Sequence, residues 1–135
     1  MVSEPITEPE GDTAAPIRVL IVEDAVVLRM SVAHYLRGVG YCVVESGNAQ
    51  EAINVVASGV QIDLVFTDIG MPGDMDGKGL AELLAVEHPE LPVILTSGDT
   101  TVSIGHSAGV VRRFLRKPYD LIDLQNHVAE LTARA

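Results

Sequence analysis

Apolar side chains fall in two alternating rhythms along this chain: short unbroken runs, and wider spacing that matches a helix. From Ile17, the run Ile17-Arg18-Val19-Leu20-Ile21-Val22 reads as a strand ending at Glu23-Asp24. Residues 25–38 carry Val27, Met30, Val32 and Leu36 at helical spacing and close on Gly38 and Gly40. Residues 41–45 form a second apolar run. Asn48 then caps a helix over 49–58, which Gly59 ends. The third predicted strand, 62–67, drives Leu64-Val65-Phe66 straight into Asp68. A loop over 68–76 follows, broken by Gly70 and Met71-Pro72. Gly77 opens a helix over 78–87 with Leu80, Leu83 and Leu84 inward, stopping at His88-Pro89. Pro92-Val93-Ile94-Leu95 is a fourth strand, ending at Thr96-Ser97-Gly98. Residues 99–109 predict a weak, mobile helix, since Gly105, Gly109 and two threonines each cost helix stability. Residues 111–115 give a fifth strand, Lys117-Pro118 a turn, and 119–133 a helix with Leu121, Leu124, Val128 and Leu131 inward.

Five strands alternating with five helices predict an α/β fold: a doubly wound, five-stranded parallel sheet of the flavodoxin-like kind, strand order 2-1-3-4-5. Composition supports this. Hydrophobic residues make up 47% of the 135 and aromatics only 4%, so the core is built of Val, Leu, Ile and Ala, as a buried parallel sheet requires. Residues 1–16 are different in kind. They hold Glu4, Glu8, Glu10 and Asp12 with Pro5, Pro9 and Pro16 and no Lys or Arg, and predict a disordered acidic tail before a single domain over 17–135.

Charge and cysteine content narrow the function classes. A net charge of −10 argues against a direct nucleic-acid ligand, because phosphate neutralisation needs a basic face. The single cysteine, Cys42, excludes an intramolecular disulfide and reads as a small core hydrophobe. The apolar runs are too short to span a membrane and the first residues lack a signal-peptide pattern, so a cytoplasmic location is expected. His34, His88, His106 and His127 share no ligand spacing.

In an open α/β sheet, sites form outside the carboxyl ends of the strands. Strand one ends in Glu23-Asp24, strand three in Asp68 and strand four in Thr96, and strand five runs to Lys117. Singly, each is an ordinary loop acid, turn hydroxyl or exposed amine. Together they place three acids, a hydroxyl and an ammonium at one edge. Crowded carboxylates repel and raise one another's pKa unless a cation joins them. An all-oxygen donor set without His or Cys suits a hard ion, Mg²⁺ foremost. A metal-bound acidic cluster beside an ammonium is a site for a phosphoryl group, with Asp68 placed as carboxylate nucleophile.

These residues resemble the receiver domain of response regulators in two-component signalling, over about residues 17–133. The resemblance rests on Val19-Leu20-Ile21-Val22-Glu23-Asp24, Asp68-Ile69-Gly70-Met71-Pro72 with Gly77, Leu95-Thr96-Ser97-Gly98 and Phe114-Leu115-Arg116-Lys117-Pro118, in the family's order. It implies Asp68 as phosphoacceptor, Asp24 as a direct Mg²⁺ ligand, Glu23 as a ligand through water and the Gly70 carbonyl as another. It implies Lys117 pairing with a phosphoryl oxygen, a cis bond to Pro118, Thr96 as the switch hydroxyl and Phe114 as the aromatic turning in behind it. Phe114 lacks a tyrosine's hydroxyl, so packing would have to carry the coupling. The loop Gly73-Asp74-Met75-Asp76 is about one residue longer than the family's commonest version, and an order change is expected over 99–109 on phosphorylation.

The resemblance also implies partners: a histidine kinase or histidine phosphotransfer protein as donor, and a downstream protein bound through the 99–133 face. A stand-alone receiver is expected, with no activity beyond its own phosphoryl transfer and slow self-dephosphorylation, either as an output regulator or as a relay intermediate. A small phosphatase with an aspartyl intermediate is the alternative. It would need a second acid two residues past the nucleophile, where Gly70 stands. A flavin or nucleotide binder would want a phosphate loop where Glu23-Asp24 stand. Of the basic cluster Arg112, Arg113, Arg116 and Lys117, the three arginines are either simply exposed or a docking face for an acidic partner.

Overall fold

The computed structural model describes residues 15–71, 73–98 and 112–133. In chain order its elements are β1 (Arg18–Val22), α1 (Val26–Gly38), β2 (Cys42–Ser46), α2 (Ala49–Ala57), β3 (Leu64–Asp68), α3 (Gly77–Glu87), β4 (Val93–Ser97), β5 (Arg112–Arg116) and α4 (Leu121–Leu131). The five strands form one sheet in the order β2-β1-β3-β4-β5, every pair parallel. Order and direction are those expected of the flavodoxin-like sheet. Four helices lie among the described residues; the helix expected over 99–109, residues 1–14 of the tail expected over 1–16, Pro72 and Val111 fall outside them.

Strand alternation divides the core in two. Leu20, Val22, Val65, Val93 and Leu95 point to the face covered by Ala49 and Ala52 of α2 and Leu80, Ala81 and Leu84 of α3. Val19, Ile21, Leu64, Phe66 and Ile94 point the other way, under Val32, Ala33 and Leu36 of α1 and Leu124 and Val128 of α4. Both faces of the sheet are thus covered, which is why the central strands β1, β3 and β4 read as apolar runs, while the edge strands β2 and β5 carry Glu45 and three arginines.

Helix α1 corrects one detail of the pattern. Val27 and Met30, spaced with Val32 and Leu36, are 78% and 58% exposed. At 100° per residue, Val32, Ala33 and Leu36 define the inward stripe, and Val27 and Met30 lie round on the other side. In α3, Leu83 is half-buried while Leu80 and Leu84 are buried. Helix α2 starts as expected, with the Asn48 side chain accepting from the Glu51 N–H at 2.8 Å. Helix α3 starts on Asp76, whose carboxylate caps it by accepting from the Gly79 N–H at 2.9 Å.

Register decides what meets at the carboxyl edge. Val22 pairs with Ser46 and Thr67, Asp68 with Thr96, and Ser97 with Arg116. The residues that leave the strands there are therefore Glu23, Asp68, Thr96 and Lys117. No helix among the described residues is long and apolar enough to cross a membrane.

Candidate functional site

Glu23 and Asp68 are buried and Asp24 is exposed. One carboxylate oxygen from each lies within 4.8 Å of the others, the only such group of potential metal ligands among the described residues. Lys117 closes the group: its Nζ lies 3.2 Å from Glu23 Oε1 and 3.1 Å from Asp68 Oδ2. The ammonium is set there by β5, which ends with the Lys117 N–H donating to the Ser97 carbonyl at 3.0 Å, and the Lys117–Pro118 peptide is cis.

Each acid is held by backbone as well. The second oxygen of Glu23 accepts from the Ala25 N–H at 3.1 Å, and Asp68 Oδ1 accepts from the Gly70 N–H at 3.2 Å. The Ile69 N–H donates to the Thr96 carbonyl at 2.9 Å, tying the residue after Asp68 to the end of β4. Gly77 is pressed against this turn. Its N–H donates to the Ile69 carbonyl, and a Cβ there would stand 1.9 Å from the Asp68 carbonyl oxygen.

The electrostatics follow from crowding. Burial pushes the Glu23 carboxyl above its ordinary value; the Ala25 bond opposes this, the Asp68 charge adds to it, and Lys117 offsets part of it. Burial alone would lower the Lys117 ammonium, but its bond to Asp68 and the charges of Asp68 and Glu23 outweigh that and raise it. Tyr119, two residues on, is driven well up by burial and then by the charges of Glu23 and Asp68. Its ring meets Phe66 edge-on, with centroids 5.6 Å apart.

Thr96 is 1% exposed, and its hydroxyl has no hydrogen-bond partner among the described residues. Phe114 packs half-buried against the α2–α3 face of the core, with the Arg116 guanidinium 5.3 Å from its ring centroid. Arg113 is neither simply exposed nor free, pairing with His127 and Glu130 of α4. The side chain of Arg112 and all of His106 lie outside the described residues.

Two residues at the site escaped the reading of the chain. Arg29 donates to the Glu23 carbonyl at 2.8 Å, and Tyr119 walls the pocket behind Asp68. The available signals were slight: a basic residue one turn into a helix that follows the acidic pair, and an aromatic directly after Lys117-Pro118.

The family model for the response regulator receiver domain matches residues 19–129. The transcriptional regulatory protein PdtaR of Mycobacterium tuberculosis is 38% identical over 118 residues, 85% of this chain and 56% of that protein. The sensor kinase CckA of Brucella abortus is 32% identical over 127 residues, 92% of this chain and 13% of that protein. The chain thus spans just over half of one curated relative and a small part of the other. Among solved structures, a response regulator receiver protein from Sinorhizobium medicae superposes with a TM-score of 0.78 at 26% identity, covering 87% of this chain and 94% of that one. The response regulator TrrA from Thermotoga maritima, solved in complex with Mg²⁺ and BeF, gives 0.75 at 26% identity, covering 85% and 98%. The receiver domain of the hybrid histidine kinase CckA gives 0.70 at 34% identity, also covering 85% and 98%.

Proposed function

The chain belongs to the response regulator receiver domain family of two-component systems, and we propose that Asp68 is its phosphoacceptor. One observation carries the reading: the carboxylate of Asp68 is buried at the carboxyl edge of the sheet, beside two further acids and the Lys117 ammonium. A receiver is a signalling module, and its chemistry is its own phosphorylation.

The donor in this reading is a phosphohistidine on a histidine kinase or phosphotransfer protein. An Asp68 carboxylate oxygen forms the new bond to phosphorus, and the phosphorus–nitrogen bond breaks. The electron pair returns to the donor imidazole, which takes up a proton. Lys117, already at hydrogen-bond distance from Asp68, pairs with the oxygens of the incoming group. Thr96 is the second contact. A buried hydroxyl without a partner costs about 1–3 kcal/mol, and a phosphoryl oxygen on the neighbouring Asp68 would satisfy it. Closure of Thr96 on that group, with Phe114 repacking behind it, is the proposed switch of a two-state equilibrium.

The donor set fits a hard divalent cation, being oxygen only and over-supplied with negative charge. Glu23, Asp24 and Asp68, with the Gly70 carbonyl, would hold Mg²⁺. Bound there, it would neutralise the carboxylates and the phosphoryl oxygens. Whether the domain regulates an output protein through its 99–133 face or passes the phosphoryl group on, acceptance at Asp68 is the shared step. Beryllium fluoride with Mg²⁺, a phosphoryl mimic, is expected to raise the melting temperature of the wild type and to leave Asp68→Asn unmoved. Equal shifts in the two proteins would remove Asp68 from the role.

A further inference from the structure

Helix α1 begins without a side-chain cap: Ala25 occupies the N-cap position, and no acid lies in the first turn. The loop that carries Glu23 and Asp24 must therefore be held by other means. The Glu23 carboxylate folds back on the Ala25 N–H, and its main-chain N–H continues the sheet ladder to the Ser46 carbonyl at 3.0 Å. The remaining polar group of Glu23, its carbonyl, accepts from Arg29 Nη1 at 2.8 Å. Arg29 is in turn held from β2, its Nε 3.3 Å from Glu45 Oε1, with the side chain only 19% exposed. Glu45 takes a second arginine on its other oxygen, Arg37 Nη1 at 3.1 Å, and Arg37 also donates to the Val43 carbonyl. The guanidinium lies against the turn after β2, where a Cβ at Gly47 would stand 3.4 Å from Arg29 Nη1, an ordinary contact.

We infer that Arg29 is the positioning residue of the acidic site, fixing the peptide between Glu23 and Asp24 from β2. The inference rests on the phosphoacceptor reading of that site. Asp24 follows Glu23 directly in the chain, so the peptide plane whose oxygen Arg29 grips also fixes where the Asp24 Cα stands, and with it the point from which its carboxylate reaches the site. The planar guanidinium suits this task because its donors leave in fixed directions, one to the carbonyl and one to Glu45. Its contact with Glu23 is made to the carbonyl rather than to the carboxylate, so its work is geometric. Groups that orient the ligands of an ion typically change its affinity by about 10–100-fold when removed.

Arg37 supplies the control, because it binds the same Glu45 from the other side and does not touch Glu23. Mn²⁺ titrated into the full chain and followed by electron paramagnetic resonance reads the site without any phosphoryl donor. Arg29→Ala is expected to weaken Mn²⁺ binding about tenfold, Arg37→Ala to stay close to wild type, and Arg29→Lys to recover part of the loss. Should Arg29→Ala not fold, Arg29→Lys is compared with Arg37→Ala, and weaker Mn²⁺ binding in the lysine variant supports the role. Equal affinities across the arginine variants, or equal losses at Arg29 and Arg37, overturn it while leaving the phosphoacceptor reading intact. A wild type without a Mn²⁺ site overturns both.

Discussion

Ser46 and Thr96 are both 1% exposed, and neither hydroxyl finds a partner among the described residues. Their positions separate their meanings. Thr96 lies in register with Asp68, whereas Ser46 ends β2 opposite Val22, on the side of Val44 and the α2–α3 core. The Ser46 hydroxyl has no chemistry to serve, so Ser46→Ala is expected to stabilise the protein by about 1 kcal/mol, read from urea unfolding. A loss of that size would instead show that the hydroxyl is satisfied. At this scale the chain was legible wherever a residue's position follows from which strand it terminates. Glu23, Asp24, Asp68, Thr96 and Lys117 were placed at the shared sheet edge that way. Arg29 and Tyr119 were not, because their partners, the Glu23 carbonyl and the Phe66 ring, are chosen by how α1 and α4 lie on the sheet.

Between β3 and α3 the decisive position is Gly77. Helix α3 begins so close to the end of β3 that any Cβ at Gly77 would overlap the Asp68 carbonyl. Gly77→Ala should therefore displace either the helix start or the Asp68 turn, costing about 1–3 kcal/mol in thermal or urea unfolding. It should also weaken the response to beryllium fluoride, which Gly79→Ala, beside the flexible Met75 side chain, should affect less. Identical behaviour of the two variants would mean that this close approach is not needed. The central strands β1, β3 and β4 were readable because burial on both faces leaves apolar runs there. The inner face of α1 was harder: Val27 and Met30 add apolar positions that belong to no core stripe, and spacing alone cannot say which side faces the sheet.

Over the whole molecule, the acidic edge is a folding cost that protons or a cation can relieve. The Glu23 value is raised in the folded state. Its stabilising share is full below the unfolded value, near pH 4.5, and is lost as pH rises through the folded value, above which the ionised group opposes folding. Lys117 is also raised, so its share persists through neutral pH and is lost only in strong alkali, as pH passes its folded value. The Mg²⁺-dependent gain in melting temperature is thus expected to be largest near neutral pH and to shrink on acidification toward the Glu23 value, as scanning calorimetry with and without chelator would show. A gain that grows on acidification would contradict this assignment of the charges.

The central claim is that Asp68 takes a phosphoryl group. Incubation with acetyl phosphate and Mg²⁺, followed by intact-mass measurement, tests it directly, and the absence of Trp from the chain makes mass a better probe than fluorescence. A single phosphoryl adduct is expected in the wild type and none in Asp68→Asn. No adduct on the wild type, or an equal yield on Asp68→Asn, would contradict the account.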